Sequence, residues 1–210
     1  MPHDETFVDG VWFPSVTTVM GAKPAPWLDA WREKWGALAT RKMEAASAIG
    51  TEFHRCVEEW LDTGDYSPNS VRVGGMMYSW IRWAEGVDGM IYHTEMKVIS
   101  RLYKYSGTLD AVGKIGKTRM IIDWKTSTRI YPEMALQLAA YAAAFNEQTG
   151  SKIKDGLIVH VSKDKPDYKV TTKAFKLGKR PFAKFLELRD MFDEMRDESA
   201  SHIQGESADA

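Results

Sequence analysis

The sequence predicts an α/β core behind a helical front. Two features carry this. Before Met90 the apolar residues recur at helical spacing, and from Met90 the pattern changes to strand-like stretches rich in β-branched and aromatic residues. A single strong helix, residues 132–146, then interrupts the strands, which is the order that builds a sheet with helical crossovers.

The elements follow in order. Phe13 to Met20 (FPSVTTVM) is rich in β-branched residues, with Pro14 and Ser15 at its start. KPAP at 23–26 opens a helical stretch in which Trp27, Trp31 and Trp35, with Leu28 and Leu38, form one apolar stripe that reads as core. A second helix is expected over Ala46–Leu61, stopping at TGD, and a third over Val71–Ala84 despite Gly74 and Gly75. Strands are expected over Met90–Ser100, Leu102–Lys114 and Thr118–Trp124. Pro132–Asn146 starts with a proline and has Gly150 past its end, the usual helix punctuation. Strands over Ile153–Val161 and Tyr168–Thr172 and a helix over Lys179–Met195 complete the core. The chain therefore divides into a helical part at 1–89, an α/β core at 90–197, and an acidic tail at 198–210 too poor in apolar residues to pack, expected to be disordered.

Composition narrows the classes of function. A chain of 210 residues with 44% hydrophobic residues can bury one substantial core. One cysteine, Cys56, excludes disulfides and any four-cysteine metal or iron–sulfur site within the chain. No apolar run approaches the roughly 18–20 residues that span a bilayer, and MPHDETFVDG does not read as a targeting peptide. The expected setting is the cytoplasm of a bacterial or phage-infected cell. A net charge of -1 argues against a uniformly basic surface, but 151–189 hold 11 Lys/Arg against 4 Asp/Glu, and 190–210 hold 1 Arg against 7 acids. Such a basic segment can present a local face for anions.

The chemistry centres on residues 107–125. Gly116-Lys117 fits a two-residue hairpin turn, which sets Asp110 opposite Asp123 and Thr108 opposite Lys125 on one face of the sheet. Facing carboxylates repel. They call for a compensating charge: Lys125, or a hard divalent cation that takes oxygen ligands and keeps positions open for phosphate oxygens. Gln137 and Tyr141 lie one turn apart among Ala and Leu, so the glutamine needs a partner. His54 stands on the second helix with Phe53, Val57 and Leu61, and Glu95 alternates with apolar neighbours on the strand next to Asp110.

Gly50-x-x-x-His54, Gly107-Thr-Leu-Asp110, Asp123-Trp-Lys125 and Gln137-x-x-x-Tyr141 occur in the order and spacing of the RecB-type nuclease domains, and the chain resembles that part of the PD-(D/E)XK superfamily. FPSVTTVM and the Trp-bearing helix are similar to the phage-encoded and mitochondrial genome-maintenance exonuclease branch. The resemblance implies a restriction-endonuclease-like core, a mixed central sheet flanked by helices. It also implies Mg²⁺- or Mn²⁺-dependent hydrolysis of DNA, single-stranded ends favoured, in recombination, repair or phage replication. Asp110, Asp123, His54 and the Trp124 carbonyl would then be metal ligands, Lys125 the catalytic lysine beside the two aspartates, and Gln137, Tyr141, Thr108 and Glu95 supporting or DNA-binding residues. Leu109 stands where the superfamily's name has proline, and the cysteines of the cluster-bearing members are absent, so no iron–sulfur cluster is expected. A recombination or single-strand-binding protein would be a fitting partner. The alternatives are a DNA-binding recombination partner that no longer cuts, and a structure-specific endonuclease.

Overall fold

A computed structural model describes residues 6–164 and 167–206. The chain opens with a hairpin that the apolar pattern does not announce: β1 (Thr6–Val8) and β2 (Val11–Phe13) pair antiparallel. Asp9 and Gly10 between them have φ of 53° and 79°, the left-handed pair that a two-residue turn of this kind requires. Asp-Gly between short apolar runs was the available signal. Helix α1 (Val16–Met20) follows, its first turn capped by the Ser15 hydroxyl, which accepts from the Thr18 N–H at 3.1 Å.

Helix α2 (Pro26–Trp35) breaks from α3 (Ala37–Thr63) at Gly36. The second helix thus begins well before Ala46, because ALATRKMEAASA holds good helix formers and no proline or glycine. Helix α4 (Val71–Gly86) keeps its glycine pair because Tyr168 packs its ring against Gly75, where a Cβ would collide with it. The Trp stripe of α2 is not core. Trp27 is 70% exposed and Trp35 38%, and α2 buries no side chain. It packs against α3, and periodicity identified an apolar face that the fold leaves largely exposed.

The remaining elements are β3 (Gly89–Ser100), β4 (Tyr105–Ile115), β5 (Thr118–Lys125), α5 (Met134–Thr149), β6 (Asp155–Val161), β7 (Val170–Lys176) and α6 (Lys179–Glu206). They build a mixed five-stranded sheet in the order β3-β4-β5-β6-β7, antiparallel throughout except for β5 with β6. That parallel pair is joined by α5, as parallel neighbours require a crossover. Helix α6 passes the expected end at Met195, so the tail expected to be disordered from 198 continues as helix to Glu206; residues 207–210 lie outside the described residues. No Gly or Pro falls between Phe182 and Gln204 to stop it.

Two cores lie on the two faces of the sheet. Val112, Ile121 and Ile158 pack with Leu138, Phe145 and Phe185 from α5 and α6. Ala111, Ile122 and Val159 pack with Phe53, Met76 and Trp80 from α3 and α4. The fold is therefore a helix–sheet–helix sandwich, and among the described residues no helix is long and apolar enough to cross a membrane.

Candidate active site

The β4–β5 ladder has the register that the Gly116-Lys117 turn predicts, from Ile115↔Thr118 to Ala111↔Ile122. Asp110 and Asp123 come one step past its last rung. There Asp110 does the work of a missing ladder bond: its Oδ2 accepts the Trp124 N–H at 2.7 Å. A second irregularity meets it from the other side. Pairing of β3 with β4 jumps from Thr94↔Ala111 to Met96↔Leu109, and Glu95 between them has φ of 44°. Leu109 and Val112, three apart, both reach the α5-side core, so strict alternation slips at Asp110. Irregularities of this kind re-aim side chains.

The result is a convergence. One ligand atom each from His54, Glu95 and Asp110 lie within 4.8 Å of one another, with His54 Nδ1 3.6 Å from Asp110 Oδ1. Beside them Lys125 Nζ stands 2.9 Å from Asp123 Oδ1, which it hydrogen-bonds, and 2.7 Å from Oδ2. That buried Oδ2 accepts no hydrogen bond among the described residues. A cavity of about 280 Å³ opens here, lined by His54, Thr108, Asp110, Lys125, Gln137 and Tyr141. Gln137 finds its partner in this wall, donating to the Tyr141 hydroxyl at 3.1 Å. Trp124 enters through its backbone, while its ring turns to the α3–α4 core.

The electrostatics are those of carboxylates crowded out of water. Burial raises Asp123 to about 6, against the pull of Lys125 and with the push of Asp110. Burial, then Asp110, raises Glu95 to about 7. Burial would raise Asp110 too, but His54 and Lys125 outweigh it and hold Asp110 below its ordinary value. For His54 and Lys125 burial favours the neutral form, and the neighbouring aspartates overcome it, so both are raised. Tyr141 is raised by burial and stays a neutral phenol.

This donor set fits a divalent cation. Two carboxylates and an imidazole converge within 4.8 Å, Asp123 stands beside them in its pair with Lys125, and two of the acids are raised where a positive charge would lower them. Sequence reasoning missed Thr6, Ser15, Thr17, Lys97 and Ser106, which line the same cavity. Thr6, Ser15 and Thr17 come from a segment remote in sequence, while Lys97 and Ser106 adjoin the Glu95 and Gly107–Asp110 stretches. Only the Ser15 cap carried a local signal.

Fold and site together define the class: the chain has the PD-(D/E)XK restriction-endonuclease-like fold, a mixed sheet between helices with the acidic residues where β4 and β5 part. It superposes on the crystal structure of LHK-Exo in complex with dAMP, an alkaline exonuclease from Laribacter hongkongensis, with a TM-score of 0.50 and 11% identity over 94% of each chain. In sequence it is similar to mitochondrial genome maintenance exonuclease 1, 27% identical to the mouse protein and 26% to that of Xenopus tropicalis. Both matches span 176 residues and 72% of this chain, which covers about half the length of these curated relatives. No protein-family model matches the chain.

Proposed function

We propose that the chain is a divalent-metal-dependent deoxyribonuclease that hydrolyses phosphodiester bonds from DNA ends, single-stranded ends preferred. The convergence of His54, Glu95 and Asp110 within 4.8 Å, beside Asp123 and its paired Lys125, carries this reading. Similarity to relatives named as exonucleases supports it.

Asp110, Asp123, Glu95 and His54 would hold Mg²⁺ or Mn²⁺, with the Trp124 carbonyl as a further oxygen. The cation, when bound, supplies Lewis-acid charge at the scissile phosphate. Lys125, kept protonated by Asp123 and Asp110, places an ammonium in the same cavity, where it hydrogen-bonds the phosphate or orients the attacking water. Asp110 is fixed by the Trp124 amide, so the acidic group does not reorganise during the reaction. Gln137 and Tyr141 make a neutral hydrogen-bonding wall that positions the strand without adding charge, with Thr108 beside them.

Single-strand preference rests on the arm formed by α2 and the start of α3. Trp27 and Trp35 are exposed there among Arg32, Lys34, Arg41 and Lys42, and the Lys42 ammonium lies 4.1 Å from the Trp35 ring centroid. Exposed rings interleaved with cations suit unstacked bases and their backbone. The basic segment at 151–189 would follow the strand beyond the site. Recombination, repair or phage replication in a bacterial or phage-infected cytoplasm is the proposed setting, with a recombination or single-strand-binding protein as partner.

The test is a gel assay of 5′- and 3′-labelled single- and double-stranded DNA with Mg²⁺, Mn²⁺ or EDTA, beside Lys125→Ala. Metal-dependent loss of label that vanishes in the variant is expected. A folded, metal-binding protein that leaves every linear and circular substrate intact would make it a DNA-binding module. Cleavage of closed circles would make it an endonuclease.

A further inference from the structure

A second cavity, of about 420 Å³, lies on the α3–α4 side of the sheet and includes none of the acidic site residues. Its walls are aromatic. Trp60, Trp83 and Trp124 line it around Trp80, whose ring meets those of Trp60 and Trp124 edge-on at 5.4 Å each, and Trp83 meets Trp124 at 6.3 Å. These rings brace one another, and Trp80 is itself buried, so the wall is rigid before any ligand arrives.

The charged groups that line it are acidic, with His93 as the one basic side chain in the wall among the described residues. Asp62 and Glu85, both exposed, line the cavity from the last turns of α3 and α4. A helix C-terminus already carries partial negative charge, which favours a cation there and disfavours a carboxylate. Neither last turn holds a basic residue, and no Lys or Arg lines the cavity among the described residues. Arg119 lies over the outer ring, Tyr92, 5.8 Å from its centroid, on the rim. Two helix ends, two carboxylates and three indole walls thus meet with no Lys or Arg between them. Phosphate is repelled from such a place and an organic cation is attracted. The lining extends to exposed apolar surface at its mouth through Met90, 62% exposed, and Tyr92, 41% exposed, which is more contact than a lone ammonium would use.

We propose that this cavity binds a cationic side chain, an arginine or lysine carried by a basic peptide segment of a protein partner. The side chain enters between the indoles, its charge faces Asp62 and Glu85, and the flanking peptide rests on Met90 and Tyr92. The proposal is independent of the nuclease reading.

The experiment uses the full chain labelled with 5-fluorotryptophan, its eight tryptophan signals assigned by single Trp→Phe substitutions, and ¹⁹F NMR. The probe is a capped Ala-Arg-Ala-Arg-Ala peptide, with the Glu analogue as control. Saturable shifts of the Trp60, Trp83 and Trp124 signals with the Arg peptide alone are expected, weakened at least about tenfold by Asp62→Asn with Glu85→Gln. These two positions are exposed, and the double variant should melt no lower than the parent. Trp83→Phe, which keeps an aromatic wall, should retain most of the binding. No shift at millimolar peptide would overturn the proposal. So would shifts confined to Trp27, Trp31 and Trp35, or an affinity unchanged in the double variant.

Discussion

Glu95→Gln tests whether the acidic cluster is built for a cation. Glu95 is raised from 4.5 to about 7, first by burial and then by Asp110. Its folded value lies above its unfolded one, so the folded state holds the extra proton, and the parent loses stability as pH rises from about 4.5 to about 7. The full shift of about 2.5 units at 1.36 kcal/mol each is about 3 kcal/mol, and a side chain only about half buried warrants roughly half of that. Glutamine has nearly the same shape and does not titrate. Metal-free Glu95→Gln should therefore match the parent near pH 4 and exceed its stability by about 1.5–2 kcal/mol at pH 8. Urea unfolding in EDTA at pH 4, 6 and 8 reads this directly. With millimolar Mg²⁺ or Mn²⁺ the ranking should reverse, since the ion stabilises the parent by mass action and finds one ligand fewer in the variant. A variant less stable than the parent in EDTA at pH 8, or a difference that ignores pH, would refute the argument.

The other expectations can be read from single variants. Lys125→Ala strands Asp123, whose value should rise further above about 6; the metal-free fold should survive by protonating it, while cleavage falls by about 100-fold or more. Gly107→Ala would set a Cβ 2.8 Å from the Tyr141 ring and 3.3 Å from Val16, so about 1–3 kcal/mol of stability should go, with activity falling as Tyr141 shifts. Trp27→Ala should leave the melting temperature nearly unchanged, because the ring is 70% exposed, yet weaken single-strand binding by about 1–3 kcal/mol in a fluorescence titration. Binding to single strands should also weaken linearly in log–log plots against salt, and less steeply when Lys34, Arg41 and Lys42 are replaced by Ala.

The central pair was legible because a hairpin is a ruler. Once Gly116-Lys117 is the turn, the register of Asp110 and Asp123 follows by counting, and the observed rungs obey it. Gln137 and Tyr141 were marked by helix spacing and by the cost of an isolated polar group, His54 by the family resemblance, and all three line the cavity with Asp110 and Lys125. The failures share a different cause. A stripe such as Trp27-Trp31-Trp35 states that one face is apolar but not what covers it. Thr6 and Thr17 reach the site from a segment remote in sequence, which no local pattern records.

Glu95 lies between these cases. Alternation along β3 suggested it without giving its reach, because the left-handed φ of 44° at that residue is a tertiary outcome. A non-glycine residue held there costs about 1–3 kcal/mol, and the conformation persists only where surrounding structure fixes it. Here β4 pairs on both sides of the gap, at Thr94↔Ala111 and Met96↔Leu109. The two rungs hold the intervening residues in place, and the strain they impose brings two mutually repelling carboxylates together. A sheet optimised for stability alone would have kept its rung and placed a neutral pair there. The site lies where two ladders are interrupted: the β3–β4 gap brings Glu95 to Asp110, and the end of the β4–β5 pairing leaves the Trp124 N–H for Asp110 to hold.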